Sequence, residues 1–171
     1  MCSSARAFSR GRERETRLGR LTGPMLLALV LAASQCPATG LLVLVDTAAH
    51  RMTLCANGEA VHAYDVAIGS GGAVPIAQRI GWAVTPLGHF TLTEARPSPY
   101  HLFIGLVNPS PKRFSAWAIG IHGPPRDAKH AGHSNVEADW TWGCIAVSSD
   151  AEIDEVSNWV RTTHTRDVEF R

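Results

Sequence analysis

The sequence predicts a mainly β domain with one C-terminal helix, on three observations. Short apolar or alternating runs recur from residue 41 to residue 121, a turn dipeptide joins two of them, and a single later segment has helical spacing. Leu41-Leu42-Val43-Leu44-Val45 is a compact apolar run, and Arg51-Met52-Thr53-Leu54-Cys55 alternates. Asn57 and Gly58 tolerate positive φ, so they join that strand to Val61-His62-Ala63-Tyr64-Asp65-Val66-Ala67-Ile68 as a hairpin. Gly69-Ser70-Gly71-Gly72 ends the pattern, and the chain as far as Pro86-Leu87-Gly88 reads as a long loop of the kind that usually carries function. Strand character returns at His89–Thr93, at Tyr100–Val107 and at Ala118–Ile121. The helix follows Cys144: Ser149 can cap it, Glu152 can reach back in a capping box, and Ile153, Val156 and Val160 share one face.

The 171 residues suit one domain, with no internal repeat or linker. Charge is uneven along the chain. Arg6, Arg10, Arg12, Arg14, Arg17 and Arg20 crowd the start, while ten Lys/Arg face thirteen Asp/Glu in the rest. A mildly acidic body gives no support to nucleic-acid binding.

The Arg-rich start precedes the apolar run Met25–Ala33 and then small residues, the order of a secretory signal. That run falls short of the roughly 20 apolar residues needed to span a bilayer. We expect residues 1–40 to be a leader and 41–171 an exported catalytic domain, with membrane contact only through the signal or a lipid anchor. Cys36 after Ala33-Ser34-Gln35 resembles a lipoprotein cleavage box and is the candidate for that anchor.

Cys2 and Cys36 lie in this leader, which leaves Cys55 and Cys144 in the body. An exported pair can form a disulfide, but Cys55 reads more simply as a small buried strand residue. Cys144 stands in Trp140-Thr141-Trp142-Gly143-Cys144-Ile145-Ala146-Val147, downstream of Ile121-His122-Gly123. A thiol becomes a strong nucleophile only as thiolate, and at a pKa of about 8.5 little of it is ionised at neutral pH. An imidazole brought to it by the fold removes that obstacle, so Cys144 and His122 are the candidate nucleophile and base. Backbone N–H groups at Gly143 and Cys144 are candidates for the oxyanion, with Trp142 and Gly123 in support. The competing reading is a buried apolar thiol and a core histidine.

Other residues are weighed for substrate contact. Trp140 and Trp142 point the same way if the segment is extended, and Thr141 points opposite. Tyr100, Thr141, His133 in its polar loop, and Arg79 are candidate substrate-binding residues; His130 is assigned to solvent. A zinc module built on His122, His130, His133 and Cys144 has suitable ligand types, but its spacing fits no usual pattern and would occupy the sulfur. We expect no metal and no cofactor.

Thr85-Pro86-Leu87-Gly88, Tyr100-His101-Leu102, Ile121-His122-Gly123 and Asp139-Trp140-Thr141-Trp142-Gly143-Cys144-Ile145-Ala146-Val147, in that order, resemble the YkuD family of L,D-transpeptidases, bacterial envelope enzymes, over roughly residues 41 to 161. The resemblance implies a β-sandwich-like catalytic domain in the periplasm or cell envelope. It also implies acylation of Cys144 by peptidoglycan tetrapeptide stems, with His122 as base and transfer to an amine or to water. Two positions depart from the common pattern: Trp142 where many members carry a second His, and Ala146 where many carry Arg. The Asp-Trp-Thr-x-Gly-Cys-Ile-Ala-Val version is similar to the YafK branch, some of whose members look like hydrolases that release a lipoprotein from peptidoglycan. The alternatives are therefore an L,D-carboxypeptidase or amidase-type hydrolase with an envelope lipoprotein as acyl partner, or an inactive peptidoglycan-binding relative.

Overall fold

The computed structural model describes residues 35–78, 83–107, 119–126 and 135–171. Strands β1 (Leu41–Asp46), β2 (Arg51–Ala56) and β3 (Glu59–Ala67) form an antiparallel meander. Asn57 and Gly58, both at positive φ, make the β2–β3 turn expected of them. After β4 (Ala73–Pro75) and a 3-10 turn at Ile76–Gln78 come β5 (Thr85–Ser98), β6 (His101–Val107), β7 (Gly120–His122) and β8 (Ile145–Val147). Helix α1 (Asp150–Thr163) and β9 (Asp167–Phe170) end the chain.

The described strands pair in the order β4-β5-β6-β7-β8-β3-β2-β1-β9, and β9 also pairs with β5. The sheet therefore closes on itself as an eight-stranded barrel, with β4 as an extra parallel partner of β5. This corrects the expected sandwich: β9 lies parallel to β1 and antiparallel to β5, so one short strand joins the two edges that a sandwich leaves apart. An eight-stranded barrel has an interior just wide enough for side chains to fill. Val43 and Val45 of β1, Met52 and Leu54 of β2, and Val168 and Phe170 of β9 belong to one buried core with Ile153, Val156 and Val160 of α1. The segment expected to be one long loop after Gly69 instead contributes β4, and Thr85-Pro86-Leu87-Gly88 opens β5.

Period-2 alternation leaves the other face of β1 and β2 to be covered. Leu44 and Cys55 pack there with Cys36 and Leu42. Cys36 and Cys55 are joined as a disulfide, with Cα atoms 5.4 Å apart. Gly40 accepts a hydrogen bond from the Asn57 N–H at 2.8 Å and donates its own N–H to Asn57 Oδ1 at 3.0 Å. Cys36, which the sequence places within the expected leader, has its sulfur bonded to Cys55 of β2. Cys55 is fully buried as expected, with a partner the sequence reading did not assign it.

Helix α1 begins where the capping signal puts it. Ser149 Oγ accepts from the Glu152 N–H at 3.3 Å. Glu152 Oε2 reaches back one residue further than a capping box requires, taking the N–H and the hydroxyl of Ser148, each at 2.7 Å. The turn between the last strand before α1 and the helix is thus held from both ends. Among the described residues no helix is long and apolar enough to cross a membrane.

Candidate active site

His122 ends β7, and Cys144 immediately precedes β8, the parallel neighbour of β7. Parallel pairing of Ile121 with Ile145 is what brings two residues far apart in sequence to one end of the barrel. Both line a cavity of about 400 Å³ together with Tyr100, Phe103, Trp140, Thr141 and Trp142.

The histidine is buried, with 3% of its surface exposed. Its Nδ1 lies 2.7 Å from the Gly123 carbonyl oxygen. A carbonyl only accepts, so Nδ1 carries the hydrogen and Nε2 keeps a lone pair, the tautomer a general base needs. Burial pulls the imidazole from its usual value near 6.5 down to about 4, partly opposed by the Gly123 hydrogen bond. His122 is therefore neutral at physiological pH. Tyr100 stacks on one side of the ring at 4.3 Å between centroids, Phe103 lies near-parallel at 6.5 Å, and Trp140 meets it edge-on at 5.8 Å. Tyr100 is set by its own turn: its N–H donates to Ser98 Oγ at 3.0 Å, and the next residue, His101, contacts Asp154 of α1 at 2.9 Å.

Cys144 is half-buried and stands outside any disulfide. The chain that carries it is clamped onto the end of β3. Asp139 Oδ1 accepts the Ile68 N–H at 3.0 Å and contacts His50 Nε2 at 3.1 Å. Thr141 bridges to Gly69, giving its N–H to the Ile68 carbonyl and accepting the Ser70 N–H. The Thr141 hydroxyl then closes the turn, accepting from the Gly143 N–H at 3.1 Å and donating to the Cys144 carbonyl at 2.7 Å. Gly143 sits at φ +103°, and a Cβ there would lie 2.6 Å from the Val84 carbonyl oxygen, so only glycine fits. Gly123 is confined for a different reason: a Cβ would meet the Tyr100 carbonyl oxygen at 2.5 Å.

These contacts place the residues picked from sequence. His122, Cys144, Tyr100, Thr141 and Trp142 share the cavity, while Gly143 and Gly123 are buried in the turns that shape it. The Gly143 N–H, expected to face an oxyanion, is committed to Thr141 Oγ1. Thr141, expected to touch substrate, is 2% exposed and spends its hydroxyl on the turn. Trp140 is anchored through its indole N–H to the Asn135 carbonyl at 2.7 Å, whereas Trp142 is 60% exposed. Arg79, His130 and His133 lie outside the described residues.

Sequence reasoning gave no role to three residues that organise the site. Asn135, fully buried, donates to the carbonyls of Val147 and Ser148 at 3.1 and 3.3 Å. Thr85 Oγ1 accepts the Gly69 N–H at 2.9 Å. Asp139 had a visible signal, being an acidic residue opening the Trp-Thr-Trp-Gly-Cys run, and Thr85 stood in a family-like motif without a role of its own, but Asn135 had no signal. Among the described residues no group of His, Cys, Asp and Glu is arranged to hold a metal.

Comparison with curated proteins gives no match. Among solved structures, an L,D-transpeptidase from Xylanimonas cellulosilytica superposes with a TM-score of 0.51 at 17% identity, over 79% of this chain and 62% of its own. The helical cell shape determining protein Pgp2 from Campylobacter jejuni gives 0.53 at 17% identity, over 77% of this chain and 47% of its own. Bd1075 from Bdellovibrio bacteriovorus gives 0.52 at 18% identity, also over 77% and 47%. The chain thus spans between about half and three-fifths of the length of these structures, and the likeness is one of fold. Residues 41–168 match the YkuD family, described as the L,D-transpeptidase catalytic domain. The chain, with its closed barrel and its cysteine and histidine at one end of adjacent parallel strands, belongs to the YkuD family of L,D-transpeptidase catalytic domains.

Proposed function

We propose that this protein is a peptidoglycan-modifying cysteine acyltransferase of the bacterial cell envelope, with Cys144 as nucleophile and His122 as base. The observation that carries this reading is the placement of a non-disulfide cysteine and a buried histidine, Nε2 left as acceptor, in one aromatic-walled cavity. Family membership supports peptidoglycan as the general substrate class, and tetrapeptide stems are the acyl donor this reading assigns. The Cys36–Cys55 disulfide fits an oxidising compartment, and so an exported domain that retains residue 36 downstream of its leader.

Burial disfavours the imidazolium form of His122, so the site favours a proton that moves as the sulfur attacks. Proton transfer to Nε2 accompanies attack of sulfur on the stem carbonyl, and the imidazolium returns the proton to the departing amine of the terminal residue. The acyl group then passes from sulfur to an acceptor amine, His122 taking the amine proton and the thiol being restored. With the Gly143 N–H engaged by Thr141, that group serves the oxyanion only by sharing or giving up this hydrogen bond.

The substitutions at Trp142 and Ala146 keep the YafK resemblance, and with it the hydrolytic outcome, within the same scheme. Incubation with disaccharide tetrapeptides and mass spectrometry of protein and products separates the outcomes. An acyl adduct on Cys144 with cross-linked product means transfer; an adduct with shortened stems means carboxypeptidase action; release of a peptidoglycan-bound lipoprotein means the amidase-type reaction. Absence of adduct and product with every stem overturns the enzymatic reading.

A further inference from the structure

Trp142 is an anomaly in an otherwise economical site. Among the described residues only Val61, Val107 and Trp142 are large apolar side chains left exposed, and Trp142 is the most exposed of them, at 60%. Its neighbours on both sides are buried: Thr141 at 2%, and Gly143 in a turn with no room for a side chain. Because the Thr141 hydroxyl bonds to Gly143 on one side and to Cys144 on the other, the backbone under Trp142 is fixed relative to the sulfur. The exposed indole is therefore presented by a rigid turn, two residues from the nucleophile and on the wall of its cavity. Exposure of one apolar side chain needs no explanation by itself; the place of Trp142 on the wall of the cavity that holds Cys144 is what offers it to an occupant of that cavity.

The occupant nearest to hand is the acyl group attached to Cys144 itself. Resting on the enzymatic reading above, we propose that Trp142 lies over the acyl chain on Cys144 and shields the thioester from water, so that the acyl-enzyme partitions toward an amine acceptor. Two nucleophiles compete for the same carbonyl. With an amine, a C–N bond forms, the C–S bond breaks, and the amine proton passes through His122 to the departing sulfur. With water, a C–O bond forms, the C–S bond breaks, and a carboxylate and the thiol result. Both need the base, so His122 does not discriminate between them. Access does: an indole packed over the acyl chain with Tyr100 and Trp140 behind it leaves less room for bulk water, while a larger acceptor reaches the carbonyl along the same aromatic wall. Trp142 is then a specificity-determining residue and the acyl chain its contact.

The test is the partition ratio, amine-transfer product over hydrolysed stem, measured on the full chain with a disaccharide tetrapeptide donor and a fixed concentration of a diamino-acid amine. The ratio is taken per acyl-enzyme formed, so it is independent of how fast Cys144 is acylated. Trp142→Ala is expected to lower it roughly three- to tenfold, the size of one lost aromatic contact, and Trp142→Phe to restore most of it. Val107→Ala, an exposed apolar residue outside the cavity, is expected to leave it unchanged. An adduct in the parent protein with the same ratio in Trp142→Ala, or a parent that only hydrolyses with amine present, overturns this inference alone. A parent that forms no adduct overturns the enzymatic reading and this inference with it.

Discussion

Cys55 and Cys144 lie on the same barrel, two strand steps apart, and their surroundings give them opposite chemistry. Cys55 is on the outward face of β2, fully buried beneath residues 35–40 and bonded to Cys36. Cys144 stands just before β8 at the edge of a cavity, half-buried, and shares that cavity with a histidine whose Nε2 keeps its lone pair. One sulfur is consumed in tying a segment to the sheet; the other is held in a turn clamped by Thr141. The comparison teaches that a disulfide and a cysteine outside any disulfide can share one barrel when the other cysteine of the described body already has a partner. It also shows two ways of fixing a sulfur: a covalent bond for Cys55, and a set of backbone hydrogen bonds around a glycine at φ +103° for Cys144.

The most severe way to break the symmetry is to remove one sulfur at a time. Cys144→Ala is expected to abolish adduct formation, with turnover down at least about 10³-fold, while the melting temperature stays close to that of the parent. His122→Gln is expected to lower turnover by roughly 10² to 10⁴-fold, the usual range for a lost general base. If Cys144→Ala retains activity, the assignment of the two sulfurs is wrong.

Removing the other sulfur is expected to act on stability instead. Cysteines 19 residues apart close a loop whose cross-link is worth roughly 3 kcal/mol in the chain-entropy model. A Cys36→Ser, Cys55→Ser double variant should therefore melt at a clearly lower temperature and still form the Cys144 adduct when folded. Intact-mass peptide mapping of the parent should find Cys36 linked to Cys55. A lipid on Cys36, or a Cys55–Cys144 peptide, contradicts the comparison.

Acid titration sharpens the histidine side. The folded-state value of about 4 lies below the unfolded 6.5, so above pH 6.5 neither state binds the proton and the contribution is complete. As the pH falls from 6.5 toward 4 the unfolded chain takes up a proton that the folded chain does not, and stability declines by roughly 3 kcal/mol. Urea unfolding at pH 7 and pH 4 measures this, and the part due to His122 should vanish in His122→Gln. An equal pH dependence in that variant assigns the slope to other groups.

The smallest expected effect tests the turn. Gly143→Ala forces a side chain into a left-handed position against the Val84 carbonyl, at a cost of about 1–3 kcal/mol, and should lower the acylation rate by displacing Cys144. Wild-type rates in that variant would show that the turn does not set the nucleophile.

Several elements were legible in the chain because their signals are local. The Asn-Gly hairpin, the strands around it, the Ser149 cap and the apolar stripe Ile153, Val156 and Val160 all follow from residues within a few positions of one another. The Cys and His candidates were legible as residue types beside strand-like runs. What eluded the sequence was whatever depends on distant partners. Asp167–Phe170 carries only two apolar side chains, too few to read as a strand, yet it zips β1 to β5 and turns an expected sandwich into a barrel. Asn135 and Thr85 look like ordinary loop residues until the carbonyl and N–H groups they satisfy are brought to them.

The sequence by itself determined the strand-rich body, the helix and its start, and the chemical types at residues 122 and 144, because propensity, capping and periodicity act over one or two turns of chain. Only the tertiary structure decided that Cys55 pairs with Cys36, that Nδ1 of His122 is the protonated nitrogen, that the Thr141 hydroxyl serves the turn, and that the sheet closes. Each of these is a choice among partners remote in sequence. Strand register and the need to satisfy buried polar groups make that choice, and neither exists until the chain has folded.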